Sequence, residues 1–356
     1  MRNLSRIFLA VAVLIPMLLG GCAPQPKTTL VVYAAGSLIT PFNDLQKAFE
    51  IKYPNIDVQS EYHGSIQVMR QVTDLHVPID VVATADQSLI PLVMYGTDNP
   101  DTGKPYANWY LRFATNKLGL AYTAKSKYAS EINAQNWMDI LMRPDVKVGF
   151  ADPRFDAVGY RTLMIFAIAE KVYNKADLLG DMFDGQFRYP ISAIRDDSGT
   201  VVHVPEILET KDNAHVVLRG ASMQVIALLQ SGDVDYAFEY ESVIQQDGLK
   251  LVALPDSLNL GTPAQQAVYN SVTVQLDFQR FAKIKPVFRG EQIGYGITIP
   301  TNAPHPQEAE LFIQFMLSPE GRKIMNDDHH PLFDTITAVD YANAPKSLQG
   351  LSEPAP

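Results

Sequence analysis

The segment TTLVVYAAGSLITPFNDLQKAFEIKYP, residues 28–54, limits the fold more than any other. A β-branched apolar run ends at Ala34-Ala35 and turns through Gly36-Ser37. Apolar residues then recur at Leu38, Phe42, Leu45 and Phe49, the period of a helix. The same unit returns twice. NIDVQSEYHGSIQV (55–68) alternates, breaks at Gly64 and enters a helix near Ser65, and PIDVVATAD (78–86) is an apolar strand leading to a helix over Gln87–Met94. Strand, loop and helix in this order predict an α/β fold with largely parallel sheets. WYLRFATNKLGLAYTAKS (109–126) lacks helical punctuation and reads as a strand pair turned at Asn116-Lys117. A second helix–strand series follows, with a strongly apolar helix in GYRTLMIFAIAEKVYN (159–174), a strand over Val234–Phe238, a strand after Gly294 and an amphipathic helix after His305. No repeat of solenoid period is present. The expected division is residues 29–119 for the first part of lobe 1, 120–260 for lobe 2, 261–340 for the return to lobe 1 with its helices, and a loose tail over 341–356. A cleft between lobes is the default ligand site.

The N-terminus predicts where the chain works. Arg2 and Arg6 precede an apolar run from Ile7 to Leu19, too short to span a bilayer and of the length of an export signal. Leu19-Gly20-Gly21-Cys22 resembles a bacterial-type lipobox, with Cys22, the single cysteine of the chain, as the lipidated residue. Residues 1–21 are then a signal peptide and 22–28 a tether. The chain is thereby expected to be membrane-anchored through Cys22 and to face the extracellular or periplasmic side. With one cysteine, a disulfide framework is excluded. The chain carries 29 basic and 39 acidic residues, a net charge of −10. That balance argues against nucleic acid as a partner, because phosphate contacts need a basic stripe.

Three loops carry candidate binding chemistry. Ser37 and Ser65 each follow a glycine at a strand-to-helix junction, where helix amides point outward with partial positive charge. One such start reads as helix capping; two on one sheet face read as a nest for an oxyanion. In FADPRFDAVGYRTL, Asp156 precedes a helix start and also fits a cap, with Tyr160 and Arg161 in the first turn. Glu239, in DYAFEY, lies among apolar and aromatic neighbours near the C-terminal end of a strand, where parallel sheets place binding residues. A salt bridge to Arg161 is the alternative for Glu239. His305, His329 and His330 come late in the chain and are expected at the surface.

Two acids beside an anion cleft repel their ligand unless the ligand is protonated, is a metal cation, or is an oxyanion with an electrophilic centre. Tungsten(VI) and molybdenum(VI) accept further oxygen ligands; sulfur(VI) in sulfate does not. Paired carboxylates would discriminate by chemistry between ions that hydrogen bonds alone separate poorly.

VVYAAGSLITPF, GSIQVMRQVTDL, IDVVATADQSLIP, FATNKLGLAYT, DAVGYRTL, SGDVDYAFEYESV and YGITIP together resemble the archaeal-type tungstate/molybdate-binding lipoproteins of ABC importers, a ModA-like branch of the type II periplasmic-binding proteins. The resemblance runs from about Leu30 to Asp327. It implies a two-lobed α/β fold of mainly parallel sheets flanked by helices, with the oxyanion held between the lobes. By position it assigns oxyanion binding to Ser37, Ser65, Asp156, Tyr160 and Glu239, with Asp156 and Glu239 as direct ligands of tungsten or molybdenum. It also implies a monomer that makes and breaks no substrate bond, needs no cofactor, and passes tungstate or molybdate to a permease and its ATPase. The chain departs from the family pattern at His63, where serine is usual, and at Ala157, where proline would pre-set the turn. The rival readings are a receptor for sulfate or phosphate and, further off, an enzyme using the paired carboxylates as acid and base.

Overall fold

The computed structural model describes residues 27–277 and 286–356; the expected signal peptide, Cys22 and residues 22–26 of the expected tether lie outside them. Among the described residues, sixteen strands form three sheets. The first sheet takes β1 (Thr28–Ala35), β2 (Ile56–His63), β3 (Val81–Thr84) and β4 (Tyr110–Ala114) from the start of the chain. It also takes β14 (Tyr295–Thr298), β15 (Leu332–Val339) and β16 (Glu353–Pro354) from the end. Its order is β16-β15-β4-β14-β3-β1-β2. β2, β1 and β3 run parallel, whereas β14 lies antiparallel between β3 and β4, so the sheet is mixed where the sequence suggested a mainly parallel one.

The second lobe holds β5 (Leu118–Tyr122), β6 (Val148–Ala151), β9 (Val216–Arg219), β10 (Tyr236–Tyr240) and β11 (Lys250–Ala253) in one sheet, ordered β11-β5-β10-β6-β9. The other sheet, ordered β13-β12-β8-β7, holds β7 (Ser192–Asp196), β8 (Gly199–Val204), β12 (Val272–Leu276) and β13 (Val287–Arg289). The apolar helix Ala157–Val172 is buried on every face from Ala157 to Glu170 and touches both sheets. An all-round apolar helix needs such a two-sided burial. Beneath it, Trp137, Phe150, Phe166, Phe183 and Phe238 interlock, with the Phe150 and Phe183 rings 4.9 Å apart at 63°. The pleat of β10 turns Phe238 into this cluster and Glu239 to the opposite face.

Three readings change in three dimensions. β4 and β5 are not a hairpin: they pair in different sheets, and residues 115–117 carry the chain from one lobe to the other. The polar Asn116-Lys117 pair that looks like a turn marks that crossing. β12 and β13, placed by sequence in the return to lobe 1, pair instead with β8 of the second lobe, because the parallel β8–β12 register buries Val274 and Leu276 there. The tail expected to be loose packs down, with Leu348 fully buried and β16 paired to β15.

Candidate functional site

The lobes meet over a small hollow lined by Ala35, Gly36, Ser37, His63, Ser65, Ala85, Asp156, Ser222 and Tyr240. Its volume is about 10 Å³ for the centre of a water-sized sphere. That is roughly the space of one water, so the two walls stand close together here. Helices begin around it from both sides. Ser65–Thr73 and, through the tight turn Gly36–Leu38, Ile39–Lys52 come from the first lobe; Ala157–Val172 and Ser222–Ser231 come from the second. Their N-terminal dipoles favour negative charge at the centre.

Neither serine caps its helix. The Ser65 hydroxyl accepts from the Ala85 amide at 3.0 Å, and Ser37 Oγ lies 2.8 Å from Tyr295 Oη. Asn116 Nδ2 donates to that phenol at 3.3 Å, and in the Ser37–Tyr295 pair either hydroxyl can be the donor. Ser65 thus has one lone pair filled and its O–H free to donate to an acceptor between the lobes. The glycines before them serve a different purpose from the turn suggested by the sequence. A Cβ on Gly64 would stand 2.4 Å from the Phe155 carbonyl oxygen, and one on Gly36 would stand 2.6 Å from Met223 Sδ, both on the opposite lobe. Close approach of backbone across the cleft, rather than a special φ, requires glycine at 64, whereas at 36 the flexible Met223 side chain could move aside.

Asp156 does cap. One carboxylate oxygen accepts from Val158 N at 2.9 Å and the other from Ser222 N at 2.9 Å, so the side chain ties two helix starts together. Burial still raises its pKa, against these two amides and Arg161. Glu239 is 0% exposed and adjoins Ser222 and Asp156 just behind the lining. Its Oε1 accepts from Tyr240 N at 2.7 Å, while Oε2 is buried with no partner among the described residues. Burial and the neighbouring Asp156 push its pKa up to about 8.

The alternative partner of Glu239 is engaged elsewhere. Arg161 donates to the Ala85 carbonyl at 2.7 Å and to Tyr240 Oη, and its Nη2 is 3.4 Å from Asp86 Oδ2. Tyr160 does not face the hollow: its hydroxyl donates to Asp86 at 2.5 Å and its ring stacks on Phe288 at 4.1 Å. The structure therefore brings together Ser37, Ser65, Asp156 and Glu239 and sets Tyr160 apart. Sequence reasoning missed Ser222, which opens a helix in RGASMQ two residues after Gly220, and it missed Tyr240, the residue after Glu239. His63 lines the hollow with Glu61 at 3.3 Å from its Nε2. His330 is a correction as well. It is fully buried, edge-on to the Tyr295 ring at 4.5 Å, and burial pushes its pKa down to about 4, so it is neutral behind the serine wall.

Residues 30–329 match the model of the bacterial extracellular solute-binding protein family. An uncharacterized solute-binding protein of Staphylothermus marinus is 35% identical over 329 residues, covering 91% of this chain and 88% of that one. The molybdate/tungstate-binding protein of Thermococcus kodakarensis is 33% identical over 337 residues, covering 92% and 88%. Among solved structures, the periplasmic molybdate-binding protein of Azotobacter vinelandii aligns with a TM-score of 0.54 at 15% identity over 86% of this chain and 100% of that one, a likeness of fold.

Proposed function

This chain belongs to the bacterial extracellular solute-binding protein family, and from that premise we propose that it captures tungstate or molybdate outside the cytoplasm and delivers it to the permease of an ABC importer. As a member of that family it is a carrier and not an enzyme. Ser37 and Ser65 donate to oxo groups, and Asp156 and Glu239 supply oxygens to the metal centre. Lipid on Cys22 tethers the receptor near its permease, whose ATPase drives import. The lobes divide at residues 115–117 and again near 290–294. The similarity to the molybdate/tungstate-binding protein of Thermococcus kodakarensis supports the choice of ligand.

The observation that carries the reading is the unpartnered Glu239 Oε2 beside Asp156. A buried carboxyl oxygen without a partner is costly, and an electrophilic d0 centre gives it one. Glu239 holds its proton up to about pH 8, so ligation at pH 7 must expel that proton, as metal binding to a protonated site does. Sulfate, held only by hydrogen bonds, would keep the proton in place as a donor. Calorimetric titration in buffers of different ionisation enthalpy reads this directly. The expected result is release of about one proton per tungstate and no displacement by comparable sulfate. Binding without proton release, or equal affinity for sulfate, defeats the carboxylate reading.

A further inference from the structure

Asp86 and Arg161 form a buried ion pair that no element of ligand capture uses. Asp86 follows β3 in the first lobe; Tyr160 and Arg161 sit in the first turn of Ala157–Val172 in the second. Asp86 is 4%, Arg161 3% and Tyr160 0% exposed. Asp86 divides its oxygens: Oδ1 accepts from Ser88 N and Ser88 Oγ at 2.9 and 2.7 Å within its own lobe, and Oδ2 receives Tyr160 and Arg161 from across the cleft. None of the three lines the hollow.

We propose that Asp86, Tyr160 and Arg161 are a latch that holds the lobes together and sets the distance between the two walls of the site. Arg161 reaches both walls. On one side it meets the carbonyl of Ala85, whose amide orients the Ser65 hydroxyl. On the other it meets the phenol of Tyr240, whose amide holds Glu239 Oε1. One guanidinium therefore spans from the donor serine to the acceptor carboxylate, and it satisfies both only when the walls stand at this separation. Separating the lobes breaks the bonds to Ala85 and Asp86 together, so the latch acts as a unit. Tyr160, assigned by the family resemblance to the ligand, works here as a positioning residue. The cost of the latch falls on opening: removing a hydrogen bond to a charged group shifts an equilibrium by about ten- to a hundredfold, and a receptor competent only when shut loses apparent affinity in proportion to the fraction shut.

The assignment rests on the two-lobed receptor reading, and the test separates the two. Hydrogen exchange in the ligand-free protein follows the Ile66 amide, which bonds the Phe155 carbonyl across the cleft at 3.1 Å. Amides within Ala157–Val172 report on the fold of the second lobe alone. Tyr160→Phe and Asp86→Asn should each speed exchange at Ile66 about tenfold or more while the helix amides keep their protection. The double variant should be no faster than Asp86→Asn, because both changes act through one carboxylate. With tungstate as probe, the same variants should raise the dissociation rate about tenfold and leave association within about twofold. Equal Ile66 exchange in wild type and variants overturns the latch, as does additive behaviour of the double variant or faster exchange shared by every amide of the helix. Failure of the wild type to bind tungstate overturns the ligand assignment instead and leaves the exchange result to decide the latch.

Discussion

On the first lobe's side of the hollow, Ser65 accepts from the Ala85 amide and Ser37 is bonded to the Tyr295 phenol, so that wall is held in place by its own lobe before any ligand arrives. On the second lobe's side, Asp156 is held by two amides yet has a raised pKa, and Glu239 keeps an oxygen with no partner among the described residues. In the proposed function, the serine wall costs little to maintain and would recognise any oxyanion. The carboxylate wall is costly to maintain and would recognise an anion only if its centre accepts oxygen. On that proposal, general capture and chemical discrimination fall to different lobes.

The widest breach of that division is Glu239→Gln, which keeps the shape and removes the ligand oxygen's charge. Tungstate affinity should fall by about a hundredfold or more, equivalent to at least ~2.7 kcal/mol, with sulfate binding little changed, as read by titration of both ions. The same variant tests the cost of the wall. The unfolded chain releases the Glu239 proton near 4.5, and the folded protein holds it to about 8. That contribution to stability is therefore full below about pH 4.5 and is lost as pH rises toward 8, at up to about 1.4 kcal/mol per pH unit. Denaturant melts across that window should show the slope in the wild type and a flatter profile in Glu239→Gln; identical profiles would remove the buried acid from the account.

Gly64→Ala tests the meeting of the walls instead of either one. Its φ of −59° suits alanine, so the first lobe keeps its stability, while the added Cβ meets Phe155 across the cleft. Overpacking of this kind costs about 1–3 kcal/mol, and every oxyanion should lose affinity alike. Selective loss of tungstate would contradict that account. The smallest effect is expected from Ser37→Ala and Ser65→Ala, about 0.5–1.5 kcal/mol each. Competition titration should find tungstate and sulfate weakened in parallel, and a loss confined to tungstate would blur the two walls into one.

Much of this arrangement is legible in the residue string, and the failures have a common cause. Glycine-serine junctions, the acid before GYR and the acid inside an aromatic strand are local signals, and Ser37, Ser65, Asp156 and Glu239 all come to one place. What Gly64 is for is not legible, because the backbone that excludes a Cβ there belongs to Phe155 of the other lobe. Arg161 lies near Asp156 in sequence and was offered to Glu239; it bonds Ala85 and Asp86, more than 70 residues away. His330 sits among polar neighbours and reads as surface, yet it is buried against Tyr295.

The sequence alone determined the alternation of strands and helices, the helix starts that surround the hollow, and which serines and acids were candidates for it, since these depend on neighbours a few residues apart. The tertiary structure decided which sheet each strand joins, that β4 and β5 part company, and that Tyr160 serves Asp86. Such choices depend on which surfaces bury each other across hundreds of residues, and that information is carried by the path of the whole chain rather than by any stretch of it.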